Sequence, residues 1–313
     1  MPAEHPTATG TARSGQVEAE AAAGQSQIHD IGYRSYDGLR LGRGYATRSL
    51  YTQSLRGAYG FGRATKSKVL PIVLFVVMCA PALIMVAVTV ATQARDLPLD
   101  YTRYPIVLQA VTSLFLAGQA PQSASKDLRF RTVALYFSRP IAHGDYVRAK
   151  YAAMASALFI LTMAPLLVLY VGALLAELDF ADQTKGFLQG VVSVALLSLL
   201  FAGIGLVISA VTPRRGFGIA AIIAVLTISY GAVSTVQAIA DAQGSHTAVS
   251  WLGLFSPITL IDGMQSAFLG ATSAFPGAPD MSIGAGIVYA LVILGAIAGC
   301  YGILLRRYRK IGL

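Results

Sequence analysis

Apolar residues in this chain fall into long runs broken by short polar stretches, not into the short alternating patches of a soluble domain. A helix of about 20 residues crosses a hydrocarbon core of about 30 Å. On that measure the pattern predicts six spans, at about Val69–Gln93, Tyr104–Gly118, Tyr151–Leu175, Gly190–Val211, Phe217–Val236 and Ile283–Leu305. The second is short. Pro81 and Pro165 lie inside the first and third, where proline kinks a helix. Arg95, Asp96, Asp100 and Arg103 form a polar turn after the first span, and Pro213, Arg214 and Arg215 a tight one after the fourth. Residues Gln237–Ser282 are too long for a simple turn, and their apolar middle, Trp251–Leu269, is interrupted by Pro257 and Asp262. Short, broken and apolar suits a re-entrant hairpin, which needs protein to cover its backbone. The predicted fold class is all-α and polytopic, with that hairpin on the outer side between spans five and six.

Three regions follow. Residues 1–40 begin with a stretch rich in Ala, Gly, Glu, Thr and Ser that lacks an apolar period, the composition of a disordered tail. It has neither the basic start nor the apolar stretch of a signal peptide. Residues 41–68 place Tyr51, Leu55 and Tyr59 at helical spacing among Arg48, Arg56 and Arg63. That suits a helix in the membrane interface, a positively charged flank holding the N-terminus inside, or both. Residues 69–313 form the six-span domain.

Composition then fixes orientation. The chain of 313 residues is 55% hydrophobic and 12% charged, with a net charge of +9. With the N-terminus inside, 21 of the 24 Lys and Arg residues fall on one side, leaving Arg95, Arg103 and Lys185 opposite. Acidic residues divide almost evenly, so the bias belongs to Lys and Arg, as the positive-inside rule requires. The expected location is the plasma membrane, multi-pass, with both termini cytoplasmic. Topology and contact with anionic lipid account for the basic balance, and nucleic acid is not needed as a partner.

The segment Gln122–Lys150 is the one long, well-patterned polar stretch between two spans. Ser125 can cap a short helix there, with Asp127 in its first turn. Phe130, Val133, Ala134 and Phe137 then form an apolar stripe beside Arg129 and Arg131. Arg139 precedes Pro140, which ends the helix. Gly144 permits a turn, Asp145 can cap the next helix, and His143 reads as a solvated turn residue. In Tyr136, Ser138, Arg139, Pro140, Ile141, Tyr146, Val147 and Lys150 this segment resembles the coupling loop of ABC-2 type permeases, the membrane subunits of one class of ATP-driven exporters. Asp127 departs from the family, which often has a glutamate nearby. The resemblance implies a cytoplasmic coupling helix between spans two and three. Asp127, Arg129, Phe130, Val133, Phe137, Arg139 and Pro140 would meet a separate ABC ATP-binding subunit there. It also implies short outer-leaflet helices before the last span, and a second permease, identical or related, as partner.

The candidate chemistry is sparse. Nothing matches the phosphate-binding pattern Gly-x-x-x-x-Gly-Lys-Ser/Thr, so ATP and Mg are expected on the partner and no cofactor on this chain. Cys79 and Cys300 lie inside predicted spans, and His5, His29, His143 and His246 are scattered, so neither a metal site nor a catalytic residue is expected. The spans lack an ionisable residue at mid-depth, which counts against a proton-driven carrier. Gln109, Thr112 and Ser113 in span two, and Thr227, Ser229, Tyr230 and Ser234 in span five, remain. By resemblance these spans line the translocation path at the dimer interface; by physics alone the same residues are ordinary helix-packing groups. Gly203, Gly205 and Ser209 suit close helix packing. The function expected is a permease half that moves a substrate outward by alternating access. The alternatives are a polytopic membrane enzyme or assembly factor, which would need a polar catalytic cluster, and a secondary carrier, which would need an internal repeat.

Overall fold

The computed structural model describes residues 38, 41–62, 65–125, 127, 141–212, 214–277 and 281–311. All regular structure among them is helical. Helix α1 covers Arg43–Ala58, α2 Lys66–Thr92, α3 Tyr104–Val107, α4 Gln109–Ser123, α5 His143–Leu175 and α6 Phe180–Val211. Helix α7 (Arg215–Ile223) continues through a π-helical turn (Ala224–Ile228) into α8 (Ser229–Ala242). Then come α9 (His246–Leu252), a 3-10 turn (Gly253–Phe255), α10 (Pro257–Leu269) and α11 (Ile283–Ile311).

Five of these helices are long and apolar enough to cross a membrane: α2, α5, α6, the continuous α7–α8 rod, and α11. They span 27, 33, 32, 28 and 29 residues. Their outward faces are apolar, with Ile72, Val73 and Val76 exposed on α2 and Ile287, Leu291 and Leu294 on α11. Contiguous greasy surface of this kind marks a membrane or protein contact. The predicted second span differs. At Leu108 the backbone leaves the helical region (φ −95°, ψ 19°), dividing the segment into α3, of four residues, and α4, of 15. At about 1.5 Å per residue neither piece reaches across a hydrocarbon core. Helix α4 is instead enclosed by protein: every residue from Phe115 to Pro121 is buried.

Helices α5 and α6 pack along their length and organise the rest. Close approach depends on small residues of α6. A Cβ at Gly205 would sit 2.6 Å from Leu116 of α4, and one at Gly203 would sit 2.6 Å from the Tyr151 hydroxyl of α5. The packing role expected of these glycines is observed. Helix α1 docks on α5 through the stripe that reads from the sequence as an interfacial face. The Tyr51 hydroxyl donates to Ser156 Oγ at 2.9 Å, the Tyr59 hydroxyl donates to the Ala157 carbonyl at 2.7 Å, and Arg43 pairs with Asp145. Burial pushes the Tyr59 phenol above its ordinary pKa, so it remains a donor. Thus the apolar side of α1 faces protein, while Tyr45 and Arg56 point away.

The helices start and stop elsewhere than hydropathy suggests. Helix α6 begins at Phe180, where the Asp179 carboxylate caps it by accepting from the Asp182 N–H at 2.9 Å. This adds a polar two to three turns to the apolar run predicted from Gly190. Helix α5 begins at His143, not after a turn, and His143 is half-buried. Asp145 lies inside its first turn and reaches back to accept from the Ala142 N–H at 3.4 Å, so it is not the cap residue itself. Beyond α8, Pro257 opens α10 and is no interruption, since proline at the first helical position forgoes only an orphan N–H.

Candidate functional site

Of the seven residues expected to meet an ATPase, Arg129, Phe130, Val133, Phe137, Arg139 and Pro140 lie outside the described residues, and Asp127 lies within them. Asp127 sits in a polar knot. Tyr146 and Lys150, one turn apart on α5, share a helix face and both reach it. The Tyr146 hydroxyl donates to Asp127 Oδ2 at 2.6 Å, and Lys150 Nζ lies 3.0 Å from the same oxygen. Lys150 also donates to the Ser123 carbonyl at 3.1 Å, at the last turn of α4. The Tyr146 ring packs on Tyr308 of α11, with ring centroids 5.0 Å apart. The Lys150 and Asp127 side chains are only 13% and 16% exposed, so this pair is held largely out of water.

The same end of the bundle satisfies the carbonyls that close α6. A helix leaves its last carbonyls without intrahelical partners. The Ser125 hydroxyl donates to the Ser209 carbonyl at 2.7 Å and Arg307 Nε to the Ala210 carbonyl at 3.0 Å. The Ser125 hydroxyl therefore ties the lead-in of the 126–140 segment to α6, and the helix it is expected to cap lies outside the described residues. The chain before that segment is clamped to α4, α5 and α6 together.

The candidate path residues form two separate sets. Thr112 and Ser113 are buried on α4, and Gln109 is half-buried at its start. Ser229, Tyr230 and Ser234 are half-buried on α8, and Thr227 is exposed in the π turn. The Ser229 hydroxyl bonds back to the Val225 carbonyl and the Ser234 hydroxyl to the Tyr230 carbonyl. Thr112 is satisfied in the same way by Leu108, at 3.4 Å. Among the described residues no hydrogen bond joins the two sets.

Two features carry no motif and are missed from sequence. Asp262, read from the sequence as a break in an apolar stretch, is buried within α10. Its carboxylate accepts from the Ser273 hydroxyl (3.0 Å), the Ala274 N–H (2.8 Å) and the Gln265 amide (3.0 Å). Burial raises its pKa, and these three donors and the Arg103 charge oppose the rise. It anchors the 270–277 loop to α10. The second is a cavity of about 150 Å³ between α1, α4 and α5, lined by Gln53, Ser54, Gln119, Gln122, Asp127 and Lys150 among others. Among the described residues, no group of three or more His, Cys, Asp or Glu side chains could hold a metal.

No family model matches this chain, and no curated protein sequence matches it.

Proposed function

We propose that this chain is the transmembrane permease subunit of an ATP-driven ABC exporter, working with a separate ATPase and a second permease by alternating access. In this reading α3 and α4 together take the place of the second of six spans. The 126–140 segment is the cytoplasmic coupling helix, and α9–α10 is the outer re-entrant hairpin. The membrane is the plasma membrane, with both termini inside. Lipid surrounds the exposed apolar faces, and the two polar sets on α4 and α8 face the path.

The observation that carries the reading is the knot around Asp127. A lever moved by a partner must pass its displacement to the membrane helices without slack. Here the chain leading into the coupling segment is fixed to the first two turns of α5 by an ion pair and a hydroxyl bond, and to the end of α6 by Ser125. A push on the segment is therefore a push on the two helices that organise the bundle. Its basic end also gathers Arg43, Arg148, Lys150 and Arg307, while Asp96, Asp100 and Asp182 line a cavity at the opposite end.

The test is mild-detergent purification of the tagged chain at native expression, with identification of copurifying proteins and an ATPase assay. A stoichiometric ATPase with vanadate-sensitive hydrolysis is expected, and Phe130→Glu with Phe137→Glu should detach or uncouple it. A single-component preparation without hydrolysis, or full transport by the double variant, would remove the proposal.

A further inference from the structure

The cavity beneath α1 has a lining that selects for one kind of chemistry. From α1 come Leu50, Gln53, Ser54 and Gly57; from α4, Gln119, Gln122 and Ser123; and Asp127 with Lys150 closes one wall. Gln119 decides the matter. It is 3% exposed, lines the space, and makes no hydrogen bond to any described residue, although a buried primary amide offers two donors and an acceptor. Its amide keeps its accessible surface on the cavity side, so a partner for it would sit in the cavity.

Three classes of occupant can be weighed against this lining. An apolar group would fill the volume and leave the Gln119 amide and the half-buried Ser54 hydroxyl without a partner on the cavity side. A charged group would be buried opposite a wall whose own two charges pair with each other, with no third charge among the described lining residues to offset its desolvation. A neutral group rich in hydroxyls satisfies the wall, because each hydroxyl both donates and accepts and can match amides in either orientation. Size narrows the choice further. A void of about 150 Å³ accommodates one six-membered ring.

We infer that the space between α1, α4 and α5 is a binding site for a compact, uncharged, polyhydroxylated group the size of one sugar ring. Gln119 is its buried anchor, and Gln53 and Ser54 contribute from α1. The group is either a free polyol or the headgroup of a glycosylated lipid. The site and its chemistry are independent of the export reading.

The experiment uses the full chain, extracted in a detergent without a sugar headgroup and moved into phosphatidylcholine nanodiscs. Melting is followed with added glucose, and separately in nanodiscs that carry glucosyl-diacylglycerol. A saturable rise in melting temperature with glucose identifies a free-polyol site. A rise only with the glucolipid identifies a headgroup site. In either case Gln119→Leu should weaken the apparent affinity about tenfold, the worth of one buried hydrogen bond. Gln53→Ala, at an exposed position on α1, should weaken it less and cannot act through misfolding of the core. No shift with either probe, or shifts that survive both substitutions unchanged, would mean that the cavity holds water only and would overturn the assignment.

Discussion

Replacing Lys150 by methionine tests the knot at the basic end. The substitution keeps the length of the side chain and removes the charge. It takes the Lys150 charge away from the Asp127 carboxylate, 16% exposed, and the 3.1 Å donor away from the Ser123 carbonyl. Removing one partner of a fully buried pair costs about 3–5 kcal/mol. The residual exposure here and the Tyr146 hydroxyl bond retain part of the solvation of Asp127, so about 2–3 kcal/mol is expected. The double variant Lys150→Met/Asp127→Leu removes both charges and should be more stable than the sum of the two single changes by at least about 1.5 kcal/mol. The assay is reversible unfolding of all four proteins in mixed micelles, followed by circular dichroism. Single losses below about 0.5 kcal/mol with no coupling would place the pair among solvated surface bridges, and the rigid connection would be refuted.

Gly205→Leu drives a side chain into Leu116, where even a Cβ would approach within 2.6 Å. Overpacking of this kind costs about 1–3 kcal/mol or more, and an unchanged unfolding midpoint would contradict the close approach of α4 and α6. Asp262→Leu strands the Ser273, Ala274 and Gln265 donors, so the 270–277 loop should become cleavable by added protease while α5 and α6 stay protected. A loop as resistant as in the wild type would show that Asp262 does not hold it. Because burial raises the Asp262 pKa, the folded state holds that proton more tightly than the unfolded one. Its share of stability is therefore present at acidic pH and is lost as pH rises from about 3.8 through the folded value. Asp262→Asn should flatten that slope, and an unaltered pH profile would count against it.

Long apolar runs are legible from sequence because hydrocarbon demands them, and five of the six predicted spans coincide with helices long and apolar enough to cross a membrane. The segment 104–123 has the composition of its neighbours and lacks their continuity, and no local signal marks Leu108 as the break. The glycines of α6 are readable as packing residues, since small side chains inside an apolar helix have few other uses. What faces α1 is not readable. A stripe of Tyr51, Leu55 and Tyr59 is as suitable for a protein surface as for a membrane interface, and only the partner decides. The knot joins Asp127 to residues 19 and 23 positions later, of which Tyr146 and Lys150 stand out from sequence only through resemblance. Gln119 gives no signal at all, because an amide in an apolar helix looks the same whether it is satisfied or waiting for a ligand.

The enclosure of α4 also imposes an order of assembly. Its buried stretch Phe115–Pro121 is covered by α1 and α2, which precede it, and by α5, α6 and α7, which follow it in the chain. At a synthesis rate of about 5–20 residues per second, α4 leaves the ribosome roughly 5–20 s before the last of these helices is complete. Too short to cross the hydrocarbon alone, it has only α1 and α2 to pack against until the helices that follow it are in place. In a chain arrested after α4, a cysteine placed at Leu116 should therefore react with a membrane-impermeant thiol reagent, and in one arrested after α7 it should be protected.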